Sequence, residues 1–490
     1  MENAMAQIVI LGAGIAGHTA AMVLQKKLKR TEHKVVVISP KPTWNWVPSN
    51  IWVGTGRMKR EKVIFELAPL YKKLGIEFHQ AAATALYPEG DAENPRSQVE
   101  LVYTDATRNG ETARVEFDYL INATGPKLNF AATPGLGPDE GYTQSVCTDS
   151  HAEECSAEFL KAVERMKAGE NLRFVIGTGA GNCTCQGAAF EFTFNTEHEL
   201  REHGVRDKAE VVYLTNEPQL GDLGVGGMKF KQDGYMTSSQ LWTESIFRER
   251  GVKAIVGAAV KNVEKNSLTY EDSDGEMHSL DYDFAMLLPP FTGVPMKAYN
   301  RAGEDISATV FNPAGFMKVD ADYTQKPYEQ WRAVDWPKTY QNPTYPNMFA
   351  VGIAFAPPHG ISKPHTTKNG TVIAPAPPRT GQPSGVMAAK VAESIVDLLK
   401  NPNAKLHEAS MGTLGAVCDA STGANMRSGS AAAIMMYPII PDETVYPETG
   451  RHPTLTRGEL GLFGHWVKVM LHYLFIYKAK GKPGWNLIPE

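Results

Sequence analysis

The sequence has little of what defines several classes of protein. It has five cysteines in 490 residues, an odd and sparse set that excludes a structural disulfide framework. Their spacing also lacks the paired Cys/His groups of a structural zinc site, so no metal site is predicted. The net charge of −5 offers no basic face for nucleic acid. The cysteines are Cys147, Cys155, Cys183, Cys185 and Cys418.

Long apolar runs are also missing. No uninterrupted stretch reaches the ~18 residues that a membrane-spanning helix needs. The first residues show no cationic segment followed by an apolar one, so no secretory signal is expected. Any membrane contact is therefore expected to be peripheral or monotopic. With 42% hydrophobic and 21% charged residues, the composition is ordinary for an enzyme of about three domains.

The first informative feature is a strand, a glycine-rich turn and a helix near the start. Apolar residues 8–11 precede a G-x-G-x-x-G turn, and a second apolar strand follows at 34–38. Such glycines allow a tight turn and a close approach of backbone to a pyrophosphate. The pattern predicts a dinucleotide site that includes Gly12, Gly14, Ile15, Ala16 and Gly17.

The end of the second strand departs from this fingerprint. It carries Ser39 and Pro40 where an acidic residue usually holds the ribose, so Ser39 or the backbone is expected to do so. Residues 44–54 are rich in tryptophan and include Trp52. They indicate either a surface loop packed by its own side chains or a lid over an aromatic cofactor.

A second glycine-rich turn, at Gly177, Gly179 and Gly181, follows apolar residues 174–176. It brings Cys183 and Cys185 to the expected start of a helix, where a cysteine is biased toward the thiolate. From the residues alone, a turn that carries small buried cysteines remains an equal alternative.

Several motifs in order resemble the sulfide:quinone oxidoreductases, monotopic membrane flavoproteins of the two-dinucleotide-domain disulfide-reductase class. The motifs lie at 47–54, 123–128, 142–147, 185–192 and 416–418. The resemblance implies an α/β fold with two Rossmann-like dinucleotide-binding domains and a C-terminal membrane-associating region. The expected division is 1–155 for the first part of the FAD-binding domain, 156–290 for the second Rossmann-like domain, 291–400 for the FAD-binding return segment and 401–490 for the C-terminal region.

The resemblance also implies the cofactor and the chemistry. FAD is expected to contact the first turn and the strand ends, and a hydrosulfide ion is expected to open a disulfide, leaving a persulfide. Which cysteine carries that persulfide, and whether Cys147 is covalently linked to the flavin, stay open. The implied catalytic residues are Cys185, Cys418, Cys147 and Glu191. The further implied cofactor contacts are Trp52, Ala123, Thr124, Gly125, Gly352, Ile353, Arg379, Thr380 and Gly381, where Arg379 replaces the family's lysine.

A membrane quinone is the implied electron acceptor, with Tyr437, Tyr473 and Phe475 expected near its ring. Residues 466–477 are apolar and aromatic and precede three lysines, as in a helix that lies in the membrane interface. A helix docked in the core or in a dimer contact is the alternative. The implied partners are thus sulfide, quinone, a bilayer surface of undetermined side, and further copies of the chain.

Two regions carry expectations of their own. Asp222 stands where the family usually has a histidine, and we expect it to be solvated. The proline-rich insertion at 357–378 contains His359 and His365, which we expect to face solvent rather than to bind a metal.

Three other functions compete with the one implied. A type II NADH:quinone dehydrogenase would bind NADH at the Gly177–Gly181 turn, but cysteines occupy that turn and no acid is evident at the next strand end. The flavoprotein subunit of a cytochrome-linked sulfide dehydrogenase would normally be exported. A flavin-bound scaffold or sulfide sensor without rapid turnover is the non-enzymatic alternative.

Overall fold

The computed structural model describes residues 5–28, 32–181, 186–378 and 381–490. The helices are α1 (Ile15–Lys27), α2 (Asn50–Gly54), α3 (Leu67–Leu74), α4 (Asp149–Lys167), α5 (Gln186–Glu202), α6 (Ser239–Arg250), α7 (Ser307–Val310), α8 (Gly381–Lys400) and α9 (Leu462–Ala479).

The strands up to residue 238 are β1 (Ala6–Leu11), β2 (His33–Ser39), β3 (Thr43–Asn45), β4 (Ile64–Glu66), β5 (Glu77–Tyr87), β6 (Gln98–Tyr103), β7 (Thr112–Glu116), β8 (Tyr119–Asn122), β9 (Pro126–Leu128), β10 (Leu172–Thr178), β11 (Ala209–Leu214), β12 (Lys229–Gln232) and β13 (Tyr235–Ser238). Those after it are β14 (Lys253–Ile255), β15 (Ala259–Glu264), β16 (Ser267–Glu271), β17 (Met277–Asp281), β18 (Phe284–Leu288), β19 (Phe291–Gly293), β20 (Lys297–Ala298), β21 (Met348–Ala350), β22 (His365–Thr366), β23 (Val372–Ile373), β24 (Ala416–Ala424), β25 (Gly429–Met436) and β26 (Arg457–Gly461).

The first sheet joins the start of the chain to its return segment. Its order is β21-β8-β1-β2-β5-β6-β7, with β20 beside β5. β1 runs parallel to both β2 and β8, and β21 runs parallel to β8. The central strands are buried on both faces, which explains their continuous Val and Ile runs. A strand near residue 350 therefore completes a domain begun at residue 6.

The second sheet repeats the parallel pattern. Its order is β14-β11-β10-β18, and each neighbouring pair is parallel. β10 ends at the second glycine-rich turn, and α5 packs back against β10 and β11. The predicted fold class, α/β with two Rossmann-like domains, is confirmed; the division into four stretches stays a prediction.

The C-terminal region adds an antiparallel sheet, β24-β25-β26. Both α5 and α9 pack against its first strand, β24. Cys418, the third residue of β24, is thus placed between the second Rossmann-like domain and the last helix. Among the helices that the structure describes, none has the length and hydropathy needed to cross a membrane.

Candidate flavin and cysteine site

The first glycine-rich turn is shaped to receive a phosphate group. A Cβ on Gly12, where φ is +92°, would lie 2.3 Å from the carbonyl oxygen of Ala123, and one on Gly17 would lie 2.0 Å from that of Gly12. These two glycines therefore let the turn pack against its neighbours. A Cβ on Gly14 or Gly125 would meet no atom of the described residues within 4 Å. The backbone there faces open space, as a bound nucleotide requires.

The start of α1 would attract that phosphate group electrostatically. Gly14 caps the helix and offers no side chain to the first amide groups. An uncapped helix N-terminus carries partial positive charge and free N–H donors, which suit a pyrophosphate. Gly352, with φ +66°, closes in from the return segment, since its Cβ would lie 3.3 Å from that of Ala16. The residues present therefore fit the adenosine diphosphate part of FAD.

The other predicted cofactor residues surround this turn. Ser39 is buried at the end of β2, and Thr124 Oγ1 donates to Asn122 Oδ1 at 2.8 Å. Gly381 begins the described part of α8, where its Cβ would lie 3.1 Å from Ile15 Cδ1. The predicted contacts Arg379 and Thr380 lie outside the described residues.

Cys418 meets the start of α5. Its Sγ lies 3.4 Å from the position that a Cβ would take on Gly187. Gly187 belongs to the first turn of a helix that follows Cys185 directly in sequence. Cys185 and Cys183 lie outside the described residues, so their predicted positions stay predictions. The chain nevertheless folds so that residues 187 and 418, far apart in sequence, are in contact.

A buried ion pair lies beside this contact. The Glu191 carboxylate on α5 is 2.9 Å from Lys468 Nζ on α9, and Glu191 also accepts from the backbone N–H of Ser421 at 3.1 Å. Burial raises the pKa of Glu191, and the ammonium of Lys468 opposes that rise. Burial lowers the pKa of Lys468, but Glu191 and further negative groups outweigh it and leave that pKa above its usual value.

Lys468 also reaches the strand that carries Cys418. Its Nζ donates to the backbone carbonyl of Asp419 at 2.8 Å. Both carboxylate oxygens of Asp419 are buried without a hydrogen-bond partner among the residues described. Burial raises the pKa of Asp419 to about 7, with Lys468 lowering it and Glu191 raising it. This arrangement can hold one proton within a few ångströms of Cys418.

The tryptophan loop lies between Cys147 and α9. Trp52 is buried, and its indole Nε1 has no hydrogen-bond partner within the described part of the chain. Ser49 Oγ is 2.9 Å from His472 Nδ1 on α9, while Asn50 donates to the carbonyl of Val146, next to Cys147. The loop is therefore inside the molecule, as a cofactor lid would be, rather than on its surface.

Cys147 and Cys155 occupy different surroundings. Cys147 is partly exposed and packs at the edge of the second core. Cys155 is fully buried in α4, and burial strongly raises the pKa of its thiol. A buried thiol of this kind is unreactive, which favours a structural role for Cys155.

The predicted quinone residues fall in two places. Phe475 on α9 stacks on Trp46, with ring centroids 5.2 Å apart, and lines a small cavity of ≈30 Å³ beside α1. Tyr473 is 66% exposed and packs edge-on against His472. Tyr437 packs near His452, 6.5 Å between centroids, after the end of β25.

α9 presents two contrasting faces. Its outer side exposes five large apolar side chains spaced three or four residues apart, so they form one stripe, which we call the outer stripe: Phe463, Trp466, Met470, Tyr473 and Tyr477. Away from this stripe the helix buries four titratable residues, His465, Lys468, His472 and Lys478.

The insertion at 357–378 is fastened to the second domain. Asn216 Nδ2 donates to the carbonyls of Gly181 and Ala374, both at 3.0 Å, so it ties the insertion to the second glycine-rich turn. Thr367 and Thr371 each donate to Glu271 at 2.6 Å. The insertion thus lies beside the turn at which a pyridine nucleotide would bind in this type of domain.

Two expectations for this region were wrong. Asp222 is buried rather than solvated, because Ser362 Oγ and the amide of Gly224 donate to it. His359 is only partly exposed, because it accepts from Trp336 Nε1 at 2.9 Å and stacks on Trp331. His365 is exposed, as expected. No group of residues that could hold a metal occurs in the described ranges.

Sequence reasoning missed Lys468 and Asp419. A lysine within an aromatic helix reads as a polar interruption of a membrane-facing surface, and Asp419 reads as an ordinary strand residue. Two features of the sequence indicate these residues. Asp419 is adjacent to Cys418, and helical spacing places Lys468 on the side of α9 opposite the outer stripe. Neither feature shows that Lys468 pairs with Glu191, which lies on α5.

Comparison with known proteins defines the class. The family described as pyridine nucleotide-disulphide oxidoreductase matches residues 6–324. The sulfide-quinone reductase of Aquifex aeolicus is 30% identical over 474 residues, which cover 96% of this chain and 91% of the relative.

Solved structures agree with that class. The X-ray structure of the sulfide:quinone oxidoreductase from Aquifex aeolicus superposes with a TM-score of 0.73 and 28% identity, covering 97% of this chain and 92% of the other. NDH2 from Plasmodium falciparum matches with a TM-score of 0.61 at 15% identity over 97% and 96% of the two chains, which shows the shared fold alone. The chain belongs to the sulfide-quinone reductases within the pyridine nucleotide-disulphide oxidoreductase family.

Proposed function

We propose that the protein oxidises sulfide through a Cys185–Cys418 disulfide and FAD and passes two electrons to a membrane quinone. The observation that carries this proposal is the place of Cys418 Sγ beside the first turn of α5, 3.4 Å from where a Cβ on Gly187 would lie. That place supports a pairing of Cys418 with Cys185, which lies two residues before Gly187. Family membership supports the same assignment.

The sulfur chemistry follows from this pairing. A hydrosulfide ion attacks one sulfur of the disulfide, a new S–S bond forms as the old one breaks, and the other cysteine leaves as a thiolate. The products are a persulfide on one cysteine and an electron pair on the other. When bound, FAD supplies a two-electron acceptor for that thiolate and a donor for the quinone.

The chain's own residues place that acceptor. The turn at Gly12, Gly14 and Gly17 and the start of α1 would hold the pyrophosphate, and Gly352 would pass beside the ribityl chain. Glu191, tied to Lys468, would take and return the proton that accompanies each cycle. We further propose that Cys147 contacts the flavin directly. Whether that contact is a covalent bond is decided by measuring the flavin retained by the denatured, washed protein.

Membrane docking is proposed for α9. The outer stripe exposes Phe463, Trp466, Met470, Tyr473 and Tyr477 by 41–66%. Apolar and aromatic side chains on one helix face suit the boundary between lipid headgroups and acyl chains. Docking there would bring a lipid-soluble quinone to Phe475 and Tyr473 from the bilayer; Tyr437 stays a weaker candidate. Association into homo-oligomers is proposed from the family resemblance and is tested by light scattering in detergent.

The test is anaerobic spectroscopy of the FAD-loaded protein. Sulfide is expected to bleach the flavin absorption, and a short-chain quinone is expected to restore it. Cys418→Ser is expected to bind FAD but to abolish sulfide-dependent quinone reduction, whereas Cys155→Ala, the matched control, is expected to keep it. Wild-type turnover in Cys418→Ser, or bleaching by NADH in place of sulfide, would refute the proposal.

A further inference from the structure

The cluster of Glu191, Lys468 and Asp419 contains one ammonium between two carboxyl groups. Lys468 is 93% buried, and three oxygen atoms surround its Nζ: both oxygens of Glu191, at 2.9 Å and 3.0 Å, and the Asp419 carbonyl at 2.8 Å. A buried ammonium is retained only where nearby negative groups balance its desolvation. Glu191 alone provides a single negative charge, so the cluster has no net charge when Asp419 is protonated.

Cys418 directly precedes Asp419 in β24. Its sulfur interacts electrostatically with the ammonium of Lys468. Among the groups that favour the charged form of Lys468 are Glu191, Asp419 and the Cys418 sulfur, and burial opposes them all. From the neighbouring strand β25, only the apolar Ile434 and Ala433 stand opposite Cys418 and Asp419. The remaining titratable neighbour on α9 is His472, whose pKa is lowered to about 4 by burial and by Lys468, so it is neutral near pH 7.

We propose that Lys468 is a positioning residue that holds the sulfur of Cys418 as a thiolate once the disulfide to Cys185 is opened. The inference rests on the proposed sulfide oxidation, because that reaction creates the thiolate. The hydrosulfide ion forms a bond to the Cys185 sulfur, the Cys185–Cys418 bond breaks, and its electron pair leaves on Cys418. No proton needs to move in this step, since one anion is consumed and one is formed.

The direction of the attack follows from leaving-group strength. A thiol with a lower pKa is expelled faster from a disulfide, and a nearby ammonium lowers a thiol pKa. Lys468 therefore favours expulsion of Cys418, the outcome that leaves the persulfide on Cys185. Asp419 acts in the opposite sense: when it is ionised, its carboxylate competes with the thiolate for the same ammonium.

The experiment is a pH titration of thiol reactivity in the reduced, FAD-loaded protein. A phosphine reductant opens the disulfide, iodoacetamide alkylates the thiols from about pH 5 to pH 10, and mass spectrometry follows the peptide that contains Cys418. Removing an opposite charge at this range shifts a thiol pKa by about one to two units. We expect Lys468→Met to raise the alkylation midpoint of Cys418 by that amount and Lys468→Arg to restore most of it.

Two further variants separate charge from structural damage. Lys478→Met removes a second buried ammonium of the same helix, paired with Glu490 at 2.7 Å and about 15 Å further along the axis, and should leave the midpoint unchanged. The double variant Lys468→Met/Glu191→Gln removes both charges of the pair. Its midpoint should stay high if the ammonium itself acts on Cys418. A return to the wild-type midpoint would instead assign the effect to the unpaired Glu191 and overturn the inference.

A variant that keeps every residue of the pair covers the case in which Lys468→Met fails to fold. Asp419→Asn removes the competing carboxylate, so we expect a lower midpoint for Cys418 than in the wild type. An unchanged or higher midpoint would overturn the inference, as would an equal shift in Lys478→Met. The titration uses neither sulfide nor quinone. Failure of the wild type to turn over sulfide would therefore refute the proposed function and leave the alkylation midpoints as measured.

Discussion

Asp419 is expected to make the folded protein less stable as pH rises, and Asp419→Asn should remove that effect. Burial raises the pKa of this carboxyl from 3.8 to about 7. Well below pH 3.8 the group is protonated in both the folded and unfolded states and contributes nothing. Between pH 4 and pH 7 the unfolded chain ionises while the folded protein does not, so the free energy of unfolding falls with pH.

The magnitude follows from the size of the shift. About three pKa units at 1.36 kcal/mol each give a cost on the order of 4 kcal/mol above pH 7. Between pH 5 and pH 8 alone, the free energy of unfolding should fall by about 2.5 kcal/mol through this group. Asparagine keeps the polar oxygen and the volume but does not titrate. Its own effect on stability is therefore an offset that does not depend on pH.

Pulse proteolysis across a urea series, with saturating FAD, measures this difference. The difference in free energy of unfolding between variant and wild type is expected to grow by about 2.5 kcal/mol from pH 5 to pH 8. Asp207→Asn, at an exposed aspartate, is the control and should show no such growth. Parallel pH dependence of wild type and Asp419→Asn, within about 0.5 kcal/mol, would show that Asp419 is not held protonated in the folded protein.

Three further predictions concern the cofactor, the membrane and the core. Gly14→Ala should fold, because its Cβ would lie in open space and its φ is not strained, but it should bind FAD at least about tenfold more weakly. Gly12→Ala should fail to fold. Flavin fluorescence titration and circular dichroism distinguish the two variants. Trp466→Glu with Tyr473→Lys should abolish sedimentation with lipid vesicles while sulfide-driven flavin bleaching persists, and continued sedimentation would exclude the outer stripe as the anchor. Burial lowers the pKa of His18 from 6.5 to about 4. The free energy of unfolding should therefore fall by about 3 kcal/mol as pH falls from 6.5 toward 4. His18→Gln should reduce this loss of stability at acid pH, as measured by urea titrations.

The parts of the fold that depend on residues close together in the sequence could be predicted from it. The strand, turn and helix at residues 6–27 need only neighbours in sequence, because the glycine spacing and the apolar run define them together. The same holds for β10 and its turn. The pairing of β21 with β8 could be expected only from the resemblance, because no residue near position 350 indicates which strand β21 pairs with.

Around Cys418, the sequence motifs pointed to Cys418 and Glu191 but not to Lys468 or Asp419. Cys418 was identified by its place in an ordered set of motifs, and its contact with the first turn of α5 needed the folded chain. Asp222 was misread because a charged loop residue is usually solvated, whereas here Ser362 arrives from the insertion, 140 positions away, to bind it. Long-range partners of this kind leave no periodic pattern in the sequence.

The two faces of α9 explain how one helix can serve both lipid and sulfur. A helix that only lay on a bilayer would need no buried ammonium, because apolar residues of similar volume would pack against β24 without a desolvation penalty. Lys468 is nevertheless buried there, directly beneath the outer stripe, and binds the strand of Cys418. The quinone's route from the bilayer and the charge that acts on the thiolate thus belong to one rigid element. Substitutions on its outer face should change vesicle binding without changing the reactivity of Cys418, and substitutions at Lys468 should change that reactivity without changing vesicle binding.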